Sequence, residues 1–290
     1  MSFSKKFPKI CFESYGRSLA LESDPARIPE KKINLCFSGG GNAAMYASGV
    51  GLFLDNLISL GKIEINRIYS ASAGAIVGIL FLLIIHRNLL EEKYRITVSD
   101  FIHLMNTNFR EKFERRTLYL ADCWLEMIRE IIPPDFYLLC NDRLFITVHF
   151  LKINCCQVFK KEVISQFESN EHLLNTIRCS SSIPFITINS LFSKYTQSNA
   201  PTRYCVDGVS PIITDYEYPT LYINISHNKY HYSLSKRLGR RIENSYEPIM
   251  IEGLRDAYLF FAHNKSVPTI YYYKRNHKQA KKSSSYGKLA

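Results

Sequence analysis

A serine among small residues is the first place in this chain where covalent chemistry could be done. Ser70-Ala71-Ser72-Ala73-Gly74 lies between a β-branched and aromatic run (Ile63, Ile65, Ile68, Tyr69) and a long apolar segment. That is the outline of a strand, a sharp turn and a helix, the arrangement in which a strained turn presents a serine as a nucleophile. The backbone folds back on itself at such a turn, so the residues two before and two after the serine must be small. Centred on Ser72, these are Ser70 and Gly74; centred on Ser70, the first would be Ile68, which is too bulky. Ser72 is therefore the candidate nucleophile, with Ser70 standing where the usual G-x-S-x-G pattern has its first glycine. Taken alone, five residues also fit an ordinary strand-to-helix turn packed closely through small side chains.

Two further stretches bear on the same chemistry. Lys32 to Phe37 reads as a short strand that runs into Ser38-Gly39-Gly40-Gly41. A phosphate cradle would need G-x-G-x-x-G, or a glycine-rich loop ending in lysine and a hydroxyl residue, and neither is present. An oxyanion hole needs consecutive backbone N–H groups that no side chain obstructs, which suits Gly39, Gly40 and Gly41. The alternative is a flexible connection, but three successive glycines carry an entropic cost. Later, Arg203 to Val206 reads as a strand ending in Asp207-Gly208, which would bring a carboxylate to the same rim as Ser72. A plain Asp-Gly turn is the competing reading. His149 sits among apolar neighbours in a strand and is read as a packed core histidine. Ser180-Ser181-Ser182-Ile183-Pro184 is read as a helix end entering a turn, not as a nucleophile.

The elements that must hold these residues follow from periodicity. Ala43 to Ser59 predicts a helix with small residues on one side and Leu52, Phe53, Leu57 and Ile58 on an apolar face, closed by Gly61. The opening order is then strand, glycine loop, helix, strand, serine turn, helix. Such βαβα order implies a parallel sheet covered by helices, with the chemistry at the carboxyl ends of the strands. Glu91 to Ile132 predicts one or two amphipathic helices through Phe101, Leu104, Met105, Leu118, Trp124, Leu125, Ile128 and Ile131, stopped by Pro133-Pro134. Leu144 to Phe150 predicts a strand, Cys156 to Phe159 its hairpin partner, and Glu171 to Cys179 a helix. Tyr218 to Ser226 predicts a further strand and Pro248 to Asn264 an amphipathic helix. The domain organisation expected is an irregular lead-in over 1–31, with one short strand near Ile10 to Phe12, a catalytic domain over 32–270, and a basic tail over 271–290.

Composition narrows the class. The chain is 46% hydrophobic, enough to build one large core. Its longest apolar run, Ala73 to Ile85, has thirteen residues, whereas a membrane-spanning helix needs about 20. Eight cysteines (11, 36, 123, 140, 155, 156, 179 and 205) are scattered without metal-site spacing. With a polar start and no apolar leader segment, the expectation is an intracellular protein, cytoplasmic or peripheral on a membrane, with free thiols. The net charge of +11 gathers late, at Lys236-Arg237, Arg240-Arg241 and Lys274 to Lys288. Anionic membrane and nucleic acid both fit such charge, but no nucleic-acid motif accompanies it, so no nucleic-acid partner is expected.

In this order, Gly39-Gly40-Gly41, Ser70-Ala71-Ser72-Ala73-Gly74 and Asp207-Gly208 resemble the motifs of the patatin-like lipid acyl hydrolases. The similarity looks closest to the adiponutrin and adipose triglyceride lipase branch. It runs through Pro133-Pro134-Asp135, Arg143 to Val148, Phe167 to Glu171, Cys179 to Phe185 and Glu252 to Tyr258. The resemblance implies a three-layer α/β/α sandwich with a mainly parallel central sheet and a catalytic Ser72–Asp207 dyad. It also implies an oxyanion hole at Gly39, Gly40 and Gly41 and no metal or organic cofactor. The substrate implied is a phospholipid or acylglycerol, met at a membrane or lipid-droplet surface. Asn42 and Ala43 depart from the family's usual basic residue and glycine after the triplet, and Ser70 from its first elbow glycine. Asn42 and Ser70 motivate a second reading, a patatin-fold module that binds a lipid surface or a partner with little or no turnover.

Overall fold

In the computed structural model the residues described are 11–23, 30–41, 44–97, 100, 119–154, 157–198, 200–225, 247–263 and 265–273. Seven α-helices and eight strands fall within them. In chain order they are α1 (Cys11–Leu21), β1 (Lys32–Phe37), α2 (Ala44–Ser59), β2 (Glu64–Ala71), α3 (Ala73–Ile85), α4 (Leu120–Ile131), α5 (Phe136–Cys140) and β3 (Leu144–Asn154). These are followed by β4 (Gln157–Ile164), α6 (Asn170–Ser180), β5 (Ser193–Tyr195), β6 (Arg203–Val206), β7 (Thr220–Ile223), α7 (Glu247–His263) and β8 (Ile270–Tyr272).

The strands form one sheet in the order β5-β6-β3-β2-β1-β7-β8, with β4 on the free side of β3. Its centre, β3-β2-β1-β7, is parallel throughout. The pairings of β3 with β4 and β6, of β5 with β6, and of β7 with β8 are antiparallel. The protein is thus of the α/β class expected, with a parallel-cored sheet flanked by helices.

Alternation along the strands sorts the two faces. Ile33, Leu35, Phe37, Ile68, Leu144, Ile146, Val148, Leu221 and Ile223 point into one large core, to which all seven helices contribute buried side chains. Their neighbours Cys36, Tyr69 and Tyr222 point the other way, into a small aromatic cluster that Ile213 covers. A bulge sets this register: Ile33 pairs with Ile65, but Leu35 pairs with Ile68. The extra residue brings Ile68 back to the core face after Ile65, and so fixes which way the last residues of β2 point.

α3 is the central helix. It is buried from Ala73 to Leu83, as an all-apolar helix must be. Its first turn crosses the end of β1 so closely that a Cβ on Gly74 would collide with the carbonyl oxygens of Phe37 and Ser38. No described helix is long and apolar enough to cross a membrane. α2 and α7 cross with equal intimacy, Gly49 against the Met250 carbonyl and Gly253 against that of Tyr46.

Two expectations need correction at the chain's ends. Cys11–Leu21 is a helix, not an irregular lead-in with a strand near Ile10 to Phe12; its Leu19 and Ala20 join the main core. β8 carries the sheet to Tyr272, past the expected start of the tail, and pairs with β7. The predicted helical positions Phe101, Leu104, Met105 and Leu118 lie outside the described residues, as do Asn42, Ala43 and all three late basic stretches.

Candidate active site

Ser72 is the hinge between β2 and α3. It adopts φ 53° and ψ −134°, a conformation that costs a non-glycine residue of order 1–3 kcal/mol and persists only where the surroundings impose it. The constraint is visible on both sides, with Gly74 wedged under the end of β1 and Ser70 fully buried beside it in the ladder. Ser72 occupies the N-cap position of α3, yet its hydroxyl does not cap the helix. Instead Ser72 Oγ donates to Asp207 Oδ2 at 2.6 Å.

Asp207 reaches that point by an unexpected route. β4 occupies one edge of β3 from Ile146 onward. β6, pairing at His149 and Phe150, must therefore take the other edge, the one β2 vacates after its last pair, Ala71 with Thr147. β6 runs antiparallel to β3, so it descends toward the end of β2 while β2 rises toward it. Ser72 and Asp207 meet where the two strands run out. The shared rim expected from the sequence is real, but the carboxylate arrives from the opposite direction.

Four contacts fix Asp207. Its N–H donates to the Ser182 carbonyl at 2.9 Å. Its own carbonyl accepts from His149 Nδ1 at 2.6 Å, and its Oδ1 accepts the Val209 N–H at 2.7 Å. The fourth is the Ser72 hydroxyl. The following loop is stitched to the sheet by Ile212 N–H to Thr147 Oγ1 at 2.9 Å, Asp215 N–H to Tyr69 Oη at 3.1 Å, and an Arg67–Asp215 ion pair at 2.8 Å. Burial pushes the Asp207 carboxyl above the usual carboxylate range, and outweighs the Ser72 hydroxyl, the Val209 N–H, His149 and Lys161, which all favour its ionised form. Lys161 stands nearby with its Nζ on Ser210 Oγ at 2.9 Å, and burial lowers its own pKa.

The glycine loop closes the third side. Ser38 anchors it to β7, its N–H on the Ile223 carbonyl at 3.1 Å and its Oγ accepting the Ile225 N–H at 2.8 Å. A Cβ on Gly39 would come within 2.8 Å of Ser72 Cβ and 3.0 Å of the Val209 carbonyl. Only glycine lets this backbone approach the serine. Gly40 and Gly41 follow on the same half-buried loop, Gly41 in the left-handed region at φ 59°. Among the described residues no three metal-ligating side chains cluster.

The profile described as Patatin-like phospholipase matches residues 35–214, more than half of the chain, and spans the glycine loop, Ser72 and Asp207. The chain belongs to the patatin-like phospholipase family. A search of curated proteins finds no match. Among solved structures, VipD from Legionella pneumophila is similar at 13% identity and a TM-score of 0.30. That similarity covers 64% of this chain and 48% of the VipD chain, so this chain spans about half of VipD's length.

In this member of the patatin-like phospholipase family, sequence reasoning missed three features next to Ser72 and Asp207. His149, expected in the core, is half-buried and holds the Asp207 carbonyl. Ser180, set aside with its neighbours, bonds to the backbone of Ser72. Cys179 and Cys205, expected as free thiols, are paired in a disulfide with their Cα atoms 5.6 Å apart, whereas Cys36 and Cys140 are free and buried. One signal was legible: Cys179 directly precedes Ser180, and Cys205 lies two residues before Asp207.

Proposed function

We propose that this protein is a lipid acyl hydrolase working through a Ser72–Asp207 dyad. The observation that carries the reading is the 2.6 Å bond from Ser72 Oγ to Asp207 Oδ2 on a strained strand-to-helix turn. Ser72 Oγ attacks an ester carbonyl as its proton passes to Asp207. Backbone N–H groups of Gly39, Gly40 and Gly41 receive the charge that develops on the carbonyl oxygen. The tetrahedral species expels the alcohol, which takes the proton from Asp207, and leaves Ser72 acylated. Water then attacks this ester, gives a proton to Asp207, and the fatty acid leaves as Ser72 Oγ recovers that proton. A carboxylate at its ordinary pKa is a weak base for a hydroxyl, and burial raises Asp207 toward a useful value.

The substrate proposed is a long-chain acyl ester of a phospholipid or an acylglycerol, as the similarity to the adiponutrin and adipose triglyceride lipase branch suggests. The protein meets it while bound peripherally to a membrane or lipid-droplet surface. The late Lys and Arg clusters would contribute about 1 kcal/mol per well-placed cation on an anionic surface. The test is product analysis by mass spectrometry after incubation with phospholipid vesicles and with acylglycerol emulsions. Release of free fatty acid from either names the substrate. Vesicle binding without release from any ester supports instead the second reading, a binding module, for which Asn42 and Ser70 are the motivating departures.

A further inference from the structure

Three consecutive serines end α6 and enter its turn, and their hydroxyls have three different fates. Ser182 Oγ turns back to the Arg178 carbonyl of its own helix. Ser181 Oγ is buried with no hydrogen-bond partner among the described residues. Ser180, fully buried, sends its hydroxyl into the active site: Oγ accepts the N–H of Ser72 at 2.8 Å and donates to the Thr147 carbonyl at 2.7 Å. Its own carbonyl accepts the Gly208 N–H at 2.8 Å.

The location explains the bond. β2 and β3 pair up to Ala71 and Thr147, so the next N–H, that of Ser72, is the first the ladder cannot use. The Ser180 hydroxyl inserts there, between the Ser72 N–H and the Thr147 carbonyl, as a donor and an acceptor at once. It splices the end of one strand to the other through a side chain. The same residue's backbone holds Gly208, whose Cα presses on the Thr147 carbonyl so closely that no Cβ fits. Ser180 is therefore bonded to the peptide of the nucleophile and to the peptide that follows Asp207, and both hang from one point on β3.

We propose that Ser180 is a positioning residue that sets the direction of the Ser72 turn against Asp207, and so couples the two halves of the dyad. The proposal rests on the dyad reading. It also implies that the Ser72 N–H, already committed to Ser180, takes no part in holding the oxyanion.

The experiment compares the full chain with Ser180→Ala, Ser180→Cys and Ser181→Ala. Thermal unfolding checks that each is folded. The rate of labelling by a fluorophosphonate, kcat and KM on a soluble p-nitrophenyl ester, and amide exchange of the peptide containing Ser72 are then measured. Misplacing a reacting atom on the scale of an ångström costs about 100-fold. Ser180→Ala is expected to lose about that factor in labelling rate and kcat with KM little changed, and to exchange faster at Ser72. Ser180→Cys, which keeps the shape with a weaker donor and acceptor, should fall between Ser180→Ala and the natural chain. Ser181→Ala should change nothing, because its hydroxyl has no partner to lose.

Equal labelling and unchanged exchange at Ser72 in Ser180→Ala and Ser180→Cys would overturn the proposal. So would an equal loss in Ser181→Ala. If the natural chain is not labelled at all, the dyad reading falls, and exchange still decides the role of Ser180. Protection at Ser72 that vanishes in Ser180→Ala would uphold the joint, and protection that persists would remove it.

Discussion

At the scale of single residues, the site is a buried serine hydroxyl hydrogen-bonded to a half-buried carboxylate. The sign of the electrostatics follows from burial. Asp207 is raised above the usual carboxylate range because ionising it in this setting is costly. In the role proposed for it, as the base, Asp207 must be ionised, so activity is expected to fall on acidification through a pKa higher than that of an exposed aspartate. A pH profile of kcat/KM on a soluble ester reads this limb directly. The same shift has a cost in stability. A carboxyl whose pKa is raised by folding favours the folded state while protonated and opposes it once ionised, so at neutral pH Asp207 is destabilising. Asp207→Asn should therefore abolish turnover yet raise Tm at neutral pH, an advantage that shrinks in acid as the native carboxyl gains its proton. Ser72 was legible because the turn demands small residues at positions 70 and 74, a demand the Gly74 contacts with β1 make concrete. His149 and Ser180 were not. Each acts on a main-chain atom of a residue far along the chain, and a bond to backbone requires no matching side chain.

At the scale of elements, the site exists because β6 enters the sheet antiparallel, on the edge of β3 that β2 leaves open. Periodicity finds strands and helices, and here it found β1, α2, α3 and α6 close to their bounds and the β3–β4 hairpin with both strands too short, since they run on to Asn154 and Ile164. It does not reveal the direction in which a four-residue strand is inserted, since that is decided by pairings with residues more than 50 positions earlier. α1 was missed for a related reason. Its helical face is completed by contact with α2 and α7, and its eleven residues do alternate at helical period, but Pro8 and Pro25 on either side masked it. The α2–α7 crossing makes an element-scale prediction. Gly253→Ala would drive a methyl into the Tyr46 carbonyl, backbone against backbone, where no side chain can yield. Overpacking of this kind costs about 1–3 kcal/mol or more, so chemical denaturation should show a lower midpoint. The dyad lies on other elements, and kcat of the folded fraction should be little changed.

At the scale of the whole molecule, one core on one face of the sheet supports α3, and α3 presents Ser72 at its positive end. The opposite face carries a thin aromatic cluster, Tyr69, Phe145, Tyr222 and Tyr273, over which the loop following Asp207 is laid and tied by Arg67 to Asp215. The sheet therefore holds Ser72 at the end of β2 and Asp207 at the end of β6. The family was readable from three motifs in order, because each is a backbone requirement: glycine where N–H groups must be bare, small residues at a fold-back, and glycine after an aspartate pressed against β3. The lipid was not readable, because a long acyl chain is held by apolar surface that no short motif encodes.

The central claim is that Ser72 is a nucleophile activated by Asp207. It is tested most directly by exposing the natural chain, Ser72→Ala and Asp207→Ala to a fluorophosphonate probe on mixed anionic vesicles, with labelling and fatty acid release read together. The account predicts labelling at Ser72 and release in the natural chain, none in Ser72→Ala, and a loss of at least about 1,000-fold in Asp207→Ala. Fatty acid release that survives in Ser72→Ala, or a folded natural chain that neither labels nor releases fatty acid, would contradict it.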